Sequence, residues 1–283
     1  MIQFKPPVLP ETALVRVPSA ARHRYLGDRL SYRAAGPEGA PAIVLLHGIG
    51  AHSAYFRWAF DSLSTTLRVV AWNAPGYWLS DNLLTRAPDD VDYAQAVADF
   101  LDALGLERVA LAGNSFGSAV AQAFAIHFPY RVSHLMLTGT GVGQKKLPLD
   151  RRHSFEARLR RAEQGSYQYG DAGVDHMVGA ATPHEVRAML VEMSRGIQAE
   201  GLARAVAFRL SKFFSPDHAH HMNMPVLMLQ GSEDRINPRE ENADLLLPQL
   251  SQGRLDILAG VGHLPEVEVP SLYAQKVAEF LST

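Results

Sequence analysis

The stretch Val109-Ala110-Leu111-Ala112-Gly113-Asn114-Ser115-Phe116-Gly117 decides the fold. Its first four residues have strand character. They run into a Gly-x-Ser-x-Gly turn, and a helix rich in small residues follows from about 116 to 128, stopping near Pro129. A serine at such a junction sits on a tight strand-to-helix turn, because small residues two positions either side let neighbouring backbone approach. The start of the following helix also places unpaired backbone N–H groups beside the serine. That combination suits nucleophilic attack next to a pocket that stabilises a developing oxyanion.

Working outward, short β-rich runs alternate with helical patterns. Strands are predicted at 42–46, 67–72 and 132–138, and helices at 54–65 and 92–104. In the second helix Val91, Ala94, Val97, Ala98 and Leu101 recur at helical spacing. Upstream, residues 22–35 read as a hairpin turning at Gly27-Asp28. The rhythm breaks over 142–222, a helix-like region rich in Arg, His and Met with no convincing strand. It resumes with strands at 226–230 and 255–258, each followed by a helix, at 238–247 and 270–282. This pattern predicts an α/β fold, a mostly parallel sheet with helices on both faces. The core is expected from residues 1–141 and 223–283, with a helical cap inserted at 142–222. The Met and aromatic residues of the insertion (among them Met177, Met193, Phe208, Phe213 and Phe214) are expected to form a small core of their own and to line part of an apolar pocket.

A serine at its ordinary pKa is a poor nucleophile and needs a base. His263, in Val261-Gly262-His263, follows the last predicted strand, where the loop bends back over the sheet edge. The base in turn needs an orienting carboxylate. Asp234 follows the 226–230 strand, and Glu233 is the adjacent alternative. Asp234 is preferred because its shorter side chain precedes the helix started by Pro238. His47-Gly48-Ile49-Gly50 follows the first central strand, and its glycines let the loop present an N–H toward the serine. The oxyanion hole is expected from the amides of Ile49 and Phe116. His47 itself is expected to hydrogen-bond this loop.

Composition removes several classes. The chain has 283 residues, 47% hydrophobic and 20% charged, which fits one large domain carrying an insertion. It has 0 Cys, which excludes disulfides, thiolate metal sites and a cysteine nucleophile. A formal net charge of -2 and the lack of a basic stripe argue against nucleic acid as a partner. No run approaches the roughly 18 apolar residues of a spanning helix, so no membrane partner is expected. The opening Met1-to-Thr12 segment has no signal-like apolar run, and a cytoplasmic location is expected. The insertion holds 12 Lys+Arg against 9 Asp+Glu and six of the twelve His, a mild hint about substrate charge. Asp217-His218-Ala219-His220-His221 lacks the spacing of a metal site and reads as a polar end to the insertion. No metal or organic cofactor is expected. Oligomeric state leaves no signal in the sequence.

Together these motifs resemble the α/β-hydrolase superfamily, from about residue 22 to 282. The order Ser115, Asp234, His263 is that family's order, and the insertion falls where the family places its cap. Gly113 to Gly117, followed by Ala123-Phe124-Ala125-Ile126, is similar to the meta-cleavage-product hydrolases. The enol-lactonase and carboxylesterase groups are at least as similar. The resemblance implies a serine hydrolase of a small carboxylic ester or lactone. The alternatives are a C–C bond hydrolase of a vinylogous diketone and, from another class, a ligand-binding protein with a slow or vestigial triad. Two residues depart from the family pattern. Asn73 stands where Asp is frequent, and Trp78, in Gly76-Tyr77-Trp78-Leu79-Ser80-Asp81, stands where a small residue is common. Gly48, Trp78, Phe213 and Leu264 are the candidates for lining the substrate pocket.

Overall fold

The computed structural model describes residues 6–143, 149–164 and 170–283. Residues 144–148 and 165–169 of the predicted insertion lie outside the described residues, as do 1–5. The strands are β1 (Thr12–Arg16), β2 (Arg29–Ala35), β3 (Ala42–Leu46), β4 (Arg68–Trp72), β5 (Val109–Asn114), β6 (Val132–Thr138), β7 (Val226–Gly231) and β8 (Gly253–Leu258). They form one 8-stranded sheet in the order β1-β2-β4-β3-β5-β6-β7-β8. Every pairing from β4 onward is parallel, and β1 and β2 join antiparallel at one edge.

The parallel strands are buried on both faces, which is why they read as continuous apolar runs. Alternate residues still separate by face. Val44 and Leu46 of β3 and Val226 and Met228 of β7 point into one hydrophobic cluster. Ile43 and Leu45, with Leu227 and Leu229, point into the other. The first cluster is covered by α2 (Asp90–Ala103) and α3 (Phe116–His127). The second is covered by α1 (Arg57–Leu63) and, further on, by the C-terminal helix. Asp89 caps α2 by accepting from the amides of Val91 and Asp92, and Asp92 reaches back to the Asp89 amide, a reciprocal box that fixes where the helix starts.

Between β6 and β7 the chain forms α4 (Leu149–Glu163), α5 (Asp171–Met177), α6 (His184–Ser194) and α7 (Ala199–Leu210), then a 3-10 helix at Ser215–His221. After β7 come α8 (Ala243–Leu246), then β8, α9 (Pro265–Glu268) and α10 (Pro270–Leu281). Among the described residues no helix is long and apolar enough to cross a membrane.

Three expectations need correction. The hairpin partner of β2 is β1, with Thr12 opposite Arg33, while 19–24 forms a 3-10 helix and Tyr25 makes only an isolated bridge to Leu83. β1 is a half-exposed edge strand, so it lacks the apolar run that marks the central strands. The helix expected at 238–247 is broken at Asn242 (φ -135°), whose side chain donates to the Pro238 carbonyl. The insertion has no separate core among the described residues. Leu202, Ala205, Val206, Phe208, Phe213 and Phe214 belong to the first core cluster, and Val174, Val186, Leu190 and Met193 to the second. Within the insertion α4 packs on α7 and α5 on α6, and the buried side chains of these helices run on into the two clusters that flank the sheet.

Candidate active site

β3 leads to β4 on one side and β5 lies on the other, so the strand order reverses at β3/β5. Crevices at the carboxyl ends of strands at such points are where ligands bind in open α/β sheets. Ser115 leaves β5 there, with a backbone φ of 54°. A positive φ is unfavourable for a residue bearing a Cβ, and it persists because the surroundings enforce it. The Ser115 amide donates to the Thr138 carbonyl at 3.0 Å, and its own carbonyl takes the Ser118 and Ala119 amides at the start of α3. Both flanking glycines are required by close approach. A Cβ on Gly113 would strike the Gly117 carbonyl, and one on Gly117 would strike the Leu46 carbonyl of β3.

His263 follows β8 and is 2% exposed. Its Nδ1 lies 2.9 Å from Asp234 Oδ2. Asp234 Oδ1 accepts the amides of Ile236 and Asn237, both at 2.9 Å, and Oδ2 also takes the Gln230 amide at 3.1 Å. Burial pushes the Asp234 carboxyl up. The imidazole beside it and the two backbone amides outweigh that and hold it below the usual carboxylate range. An ionised carboxylate only accepts, so Nδ1 carries the proton and the Nε2 lone pair is left for other work. Glu233, the alternative, lies apart from the imidazole and accepts the Ala180 amide of the insertion at 2.9 Å.

Ser115 and His263 line one cavity of about 390 Å³, together with Gly48, Ile49 and Leu264. No hydrogen bond joins the two side chains directly, and such contacts commonly tighten only with substrate bound. The amides of Ile49 and Phe116 donate to no backbone acceptor among the described residues. Phe116 is the first residue of α3, where the N–H is an orphan of the helix.

The loop carrying Ile49 is held from behind. The Ala74 amide donates to His47 Nε2 at 3.0 Å, so Nδ1 bears the proton and donates to the Gly48 carbonyl at 2.8 Å. Burial pushes the His47 pKa down to about 3, which keeps that tautomer neutral. The Tyr77 hydroxyl donates to the Ile49 carbonyl at 3.0 Å.

Two pocket candidates lie elsewhere. Phe213 is buried against Phe208, ring centroids 5.8 Å apart, and is not among the residues lining the cavity. Trp78 (φ 54°) is not among them either. Its indole stacks on His52 at 4.6 Å, and its carbonyl accepts from Gln198 of the insertion at 2.8 Å. The histidines at 218, 220 and 221 lie on the 3-10 helix, and among the described residues no group of three or more acidic or imidazole side chains is arranged to hold a metal ion.

Sequence reasoning missed a second buried carboxylate. Glu266 accepts from Tyr55 Oη at 2.8 Å and from the Thr138 hydroxyl. Asn114 Nδ2 donates to Thr138 Oγ1 at 3.2 Å and to the His263 carbonyl at 3.1 Å. The strand end before Ser115 is thereby tied to the loop bearing His263. Burial pushes Glu266 up, against hydrogen bonds and the His263 charge, which lower it. An acid in the first turn of a helix reads as solvent-facing, so nothing in the sequence marked its burial. Arg158 and Arg161 of α4 also line the cavity, and the only sequence signal for them was the insertion's excess of basic residues.

Comparison with known proteins agrees with this architecture. The family model described as alpha/beta hydrolase fold matches residues 41–265. A 2-hydroxy-6-oxononadienedioate/2-hydroxy-6-oxononatrienedioate hydrolase of Burkholderia vietnamiensis is 27% identical over 266 residues, covering 89% of this chain and 91% of the relative. A thermophilic esterase from Thermogutta terrifontis superposes with a TM-score of 0.83 at 20% identity, covering 96% of this chain and 98% of the other. An enol-lactonase from Burkholderia xenovorans gives 0.78 at 19% identity, covering 92% and 98%. At these identities the two structural likenesses speak for the fold alone.

Proposed function

The chain belongs to the alpha/beta hydrolase fold family and is a hydrolase, and from that premise we propose that it cleaves a small carboxylic ester or lactone through an acyl-enzyme on Ser115. The observation that carries this reading is the buried His263–Asp234 contact of 2.9 Å, beside a serine held at positive φ on the same cavity. Ser115 Oγ attacks the substrate carbonyl carbon while His263 Nε2 takes the hydroxyl proton. Asp234 fixes the imidazole through Nδ1–H and stabilises the imidazolium that forms. The carbonyl oxygen becomes an oxyanion facing the Ile49 and Phe116 amides, an interaction worth about 3–4 kcal/mol per donor in comparable sites. The imidazolium returns its proton to the leaving oxygen. Water, deprotonated by the same nitrogen, then releases the acid and restores the serine. Residues 142–222 act as the cap over this site.

A second reading is C–C bond hydrolysis of a vinylogous diketone by the same three residues. It is favoured by the printed activity of the Burkholderia vietnamiensis relative, which matches most of the chain. A panel of p-nitrophenyl esters, lactones and one ring-fission dienoate separates the two. The ester reading expects a burst of p-nitrophenol close to one per enzyme wherever deacylation is slower than acylation. Turnover confined to the dienoate supports the second reading, and binding without turnover of any panel member supports a vestigial triad.

A further inference from the structure

Glu266 is 3% exposed and stands in α9, three residues after His263. One of its oxygens accepts from Tyr55 Oη at 2.8 Å, and the other accepts from the Thr138 hydroxyl. Tyr55 belongs to the 3-10 helix Ser53–Phe56, just past the loop that carries Ile49, and it lines the cavity. Thr138 ends β6, and its carbonyl takes the Ser115 amide. The Thr138 hydroxyl oxygen accepts Asn114 Nδ2 at 3.2 Å, which leaves its one proton to point at Glu266. One carboxyl therefore bridges the segments around Ser115, Ile49 and His263.

Both hydroxyls suit an ionised carboxylate, which only accepts. A protonated Glu266 would have to turn one oxygen into a donor, toward a hydroxyl that already donates to it. Burial pushes Glu266 up, and the two hydroxyls and then the His263 charge pull the other way. The influence is mutual, so an ionised Glu266 favours the imidazolium form of His263. Among the described residues no lysine or arginine pairs with Glu266, and Asp234 pairs with His263 alone. The other titratable groups around Glu266 are Tyr55, Tyr273 of α10, whose buried hydroxyl has no partner among the described residues, and Glu268, whose charge acts on Tyr55. Of the remaining elements against it, β7 carries no titratable side chain, β6 adds only His134, which packs on Phe280, and Arg57 and Asp61 of α1 do not pair with it. Two buried carboxylates without a matching cation are costly. That cost falls when the imidazole beside them takes a proton, so the charge is better balanced in the transition state than before it.

We propose that Glu266 is a positioning residue, an ionised carboxylate that braces the segments around Ser115 and His263 and, together with Asp234, stabilises the imidazolium formed as the serine attacks. This rests on the reading of His263 as the base of a serine hydrolase, and the experiment separates the two. Its first arm needs no turnover. In wild-type protein carrying 13C-labelled glutamate and histidine, the Glu266 carboxyl signal, assigned with Glu266→Asp, is expected in its ionised position where the His263 ring titrates. The midpoint of that ring titration is expected to fall by about one pH unit in Glu266→Gln, which keeps the shape and removes the charge, and to stay near the wild type in Glu266→Asp. The second arm is turnover of the best ester or lactone. Glu266→Gln is expected to lower kcat about tenfold with KM within about twofold of the wild type. Melting temperatures show whether the variants are folded, and the wild-type carboxyl signal decides if they are not. A protonated Glu266 in the wild type overturns the proposal. So does a midpoint indifferent to Glu266→Gln, or one that Glu266→Asp lowers as far, and turnover by the wild type then leaves the hydrolase reading intact. A midpoint that falls as expected, in a protein that turns over no ester or lactone, supports the role of the charge and counts against that reading.

Discussion

The eight-stranded core and the 142–222 insertion meet at one cavity but build their sides of it differently. On the core side the three residues proposed to react follow strands: Ser115 after β5, Asp234 after β7, His263 after β8. Buried hydrogen bonds fix each of them. On the insertion side the wall is helical and carries long cationic side chains from α4. On the function proposed above, the core would set which bond breaks, and the insertion bounds the space left for the substrate. The two nevertheless share their hydrophobic clusters. Phe208 of α7 packs on Phe116 at 6.0 Å and on Tyr93 at 5.1 Å, against the residue whose amide is proposed for the oxyanion hole.

Cutting the comparison apart gives the largest expected effect. Replacing 142–222 by a short linker strips several buried aromatic and aliphatic side chains from both clusters. Each large one is worth about 2–5 kcal/mol, against a typical net stability of about 5–15 kcal/mol. The truncated chain is expected to lose cooperative thermal unfolding, and a sharp transition near that of the full chain would show the insertion to be autonomous. Within the core, Ser115→Ala and His263→Ala are each expected to lower kcat by about 10⁴-fold or more with the melting temperature preserved, and the double variant by little more, because the pair acts as a unit. Multiplicative losses would break that unit. Asp234→Asn is expected to lose about 10³- to 10⁴-fold by leaving His263 in the wrong tautomer.

His47 tests how firmly the core holds its oxyanion loop. Its folded pKa, about 3, lies below the ordinary 6.5, so between those values the unfolded chain binds more protons than the folded one. Its contribution to stability is full above 6.5 and is lost as pH falls toward 3. Between pH 7.5 and 5 the wild type should lose about 2 kcal/mol that His47→Gln does not, as read by urea unfolding at both values. Equal losses would mean that His47 titrates normally. The smallest effect is expected at Trp78, where glycine removes the stack on His52 but also relieves a positive φ. Trp78→Gly should leave the ratio of acetyl to octanoyl ester turnover unchanged and shift the melting temperature by only a few degrees. A changed ratio would bring the indole into the pocket.

What was legible in the sequence follows from how locally each feature is determined. The sheet could be read because parallel strands buried on both faces leave apolar runs, and the Ser115 turn because close backbone approach leaves only glycine at 113 and 117. β1 was missed because an edge strand half in water needs no such run. Glu266 was missed because its burial depends on Tyr55 and Thr138, which are distant in sequence. Trp78 drew attention by being unusual, yet its neighbour Tyr77 holds the Ile49 carbonyl, and only the folded chain tells them apart. Helices without a strand were expected between β6 and β7, and the described residues there are helical. What those helices pack against could not be read, because helical periodicity says that a face is apolar and not what covers it.

The central claim, that Ser115 is a nucleophile activated by His263, is tested most directly by labelling with a fluorophosphonate and locating the adduct by peptide mass spectrometry. The account predicts one stoichiometric phosphonyl adduct on Ser115, absent in Ser115→Ala and formed at least about 10²-fold more slowly in His263→Ala. No adduct on Ser115 in the folded wild type, or labelling just as fast without His263, would contradict it.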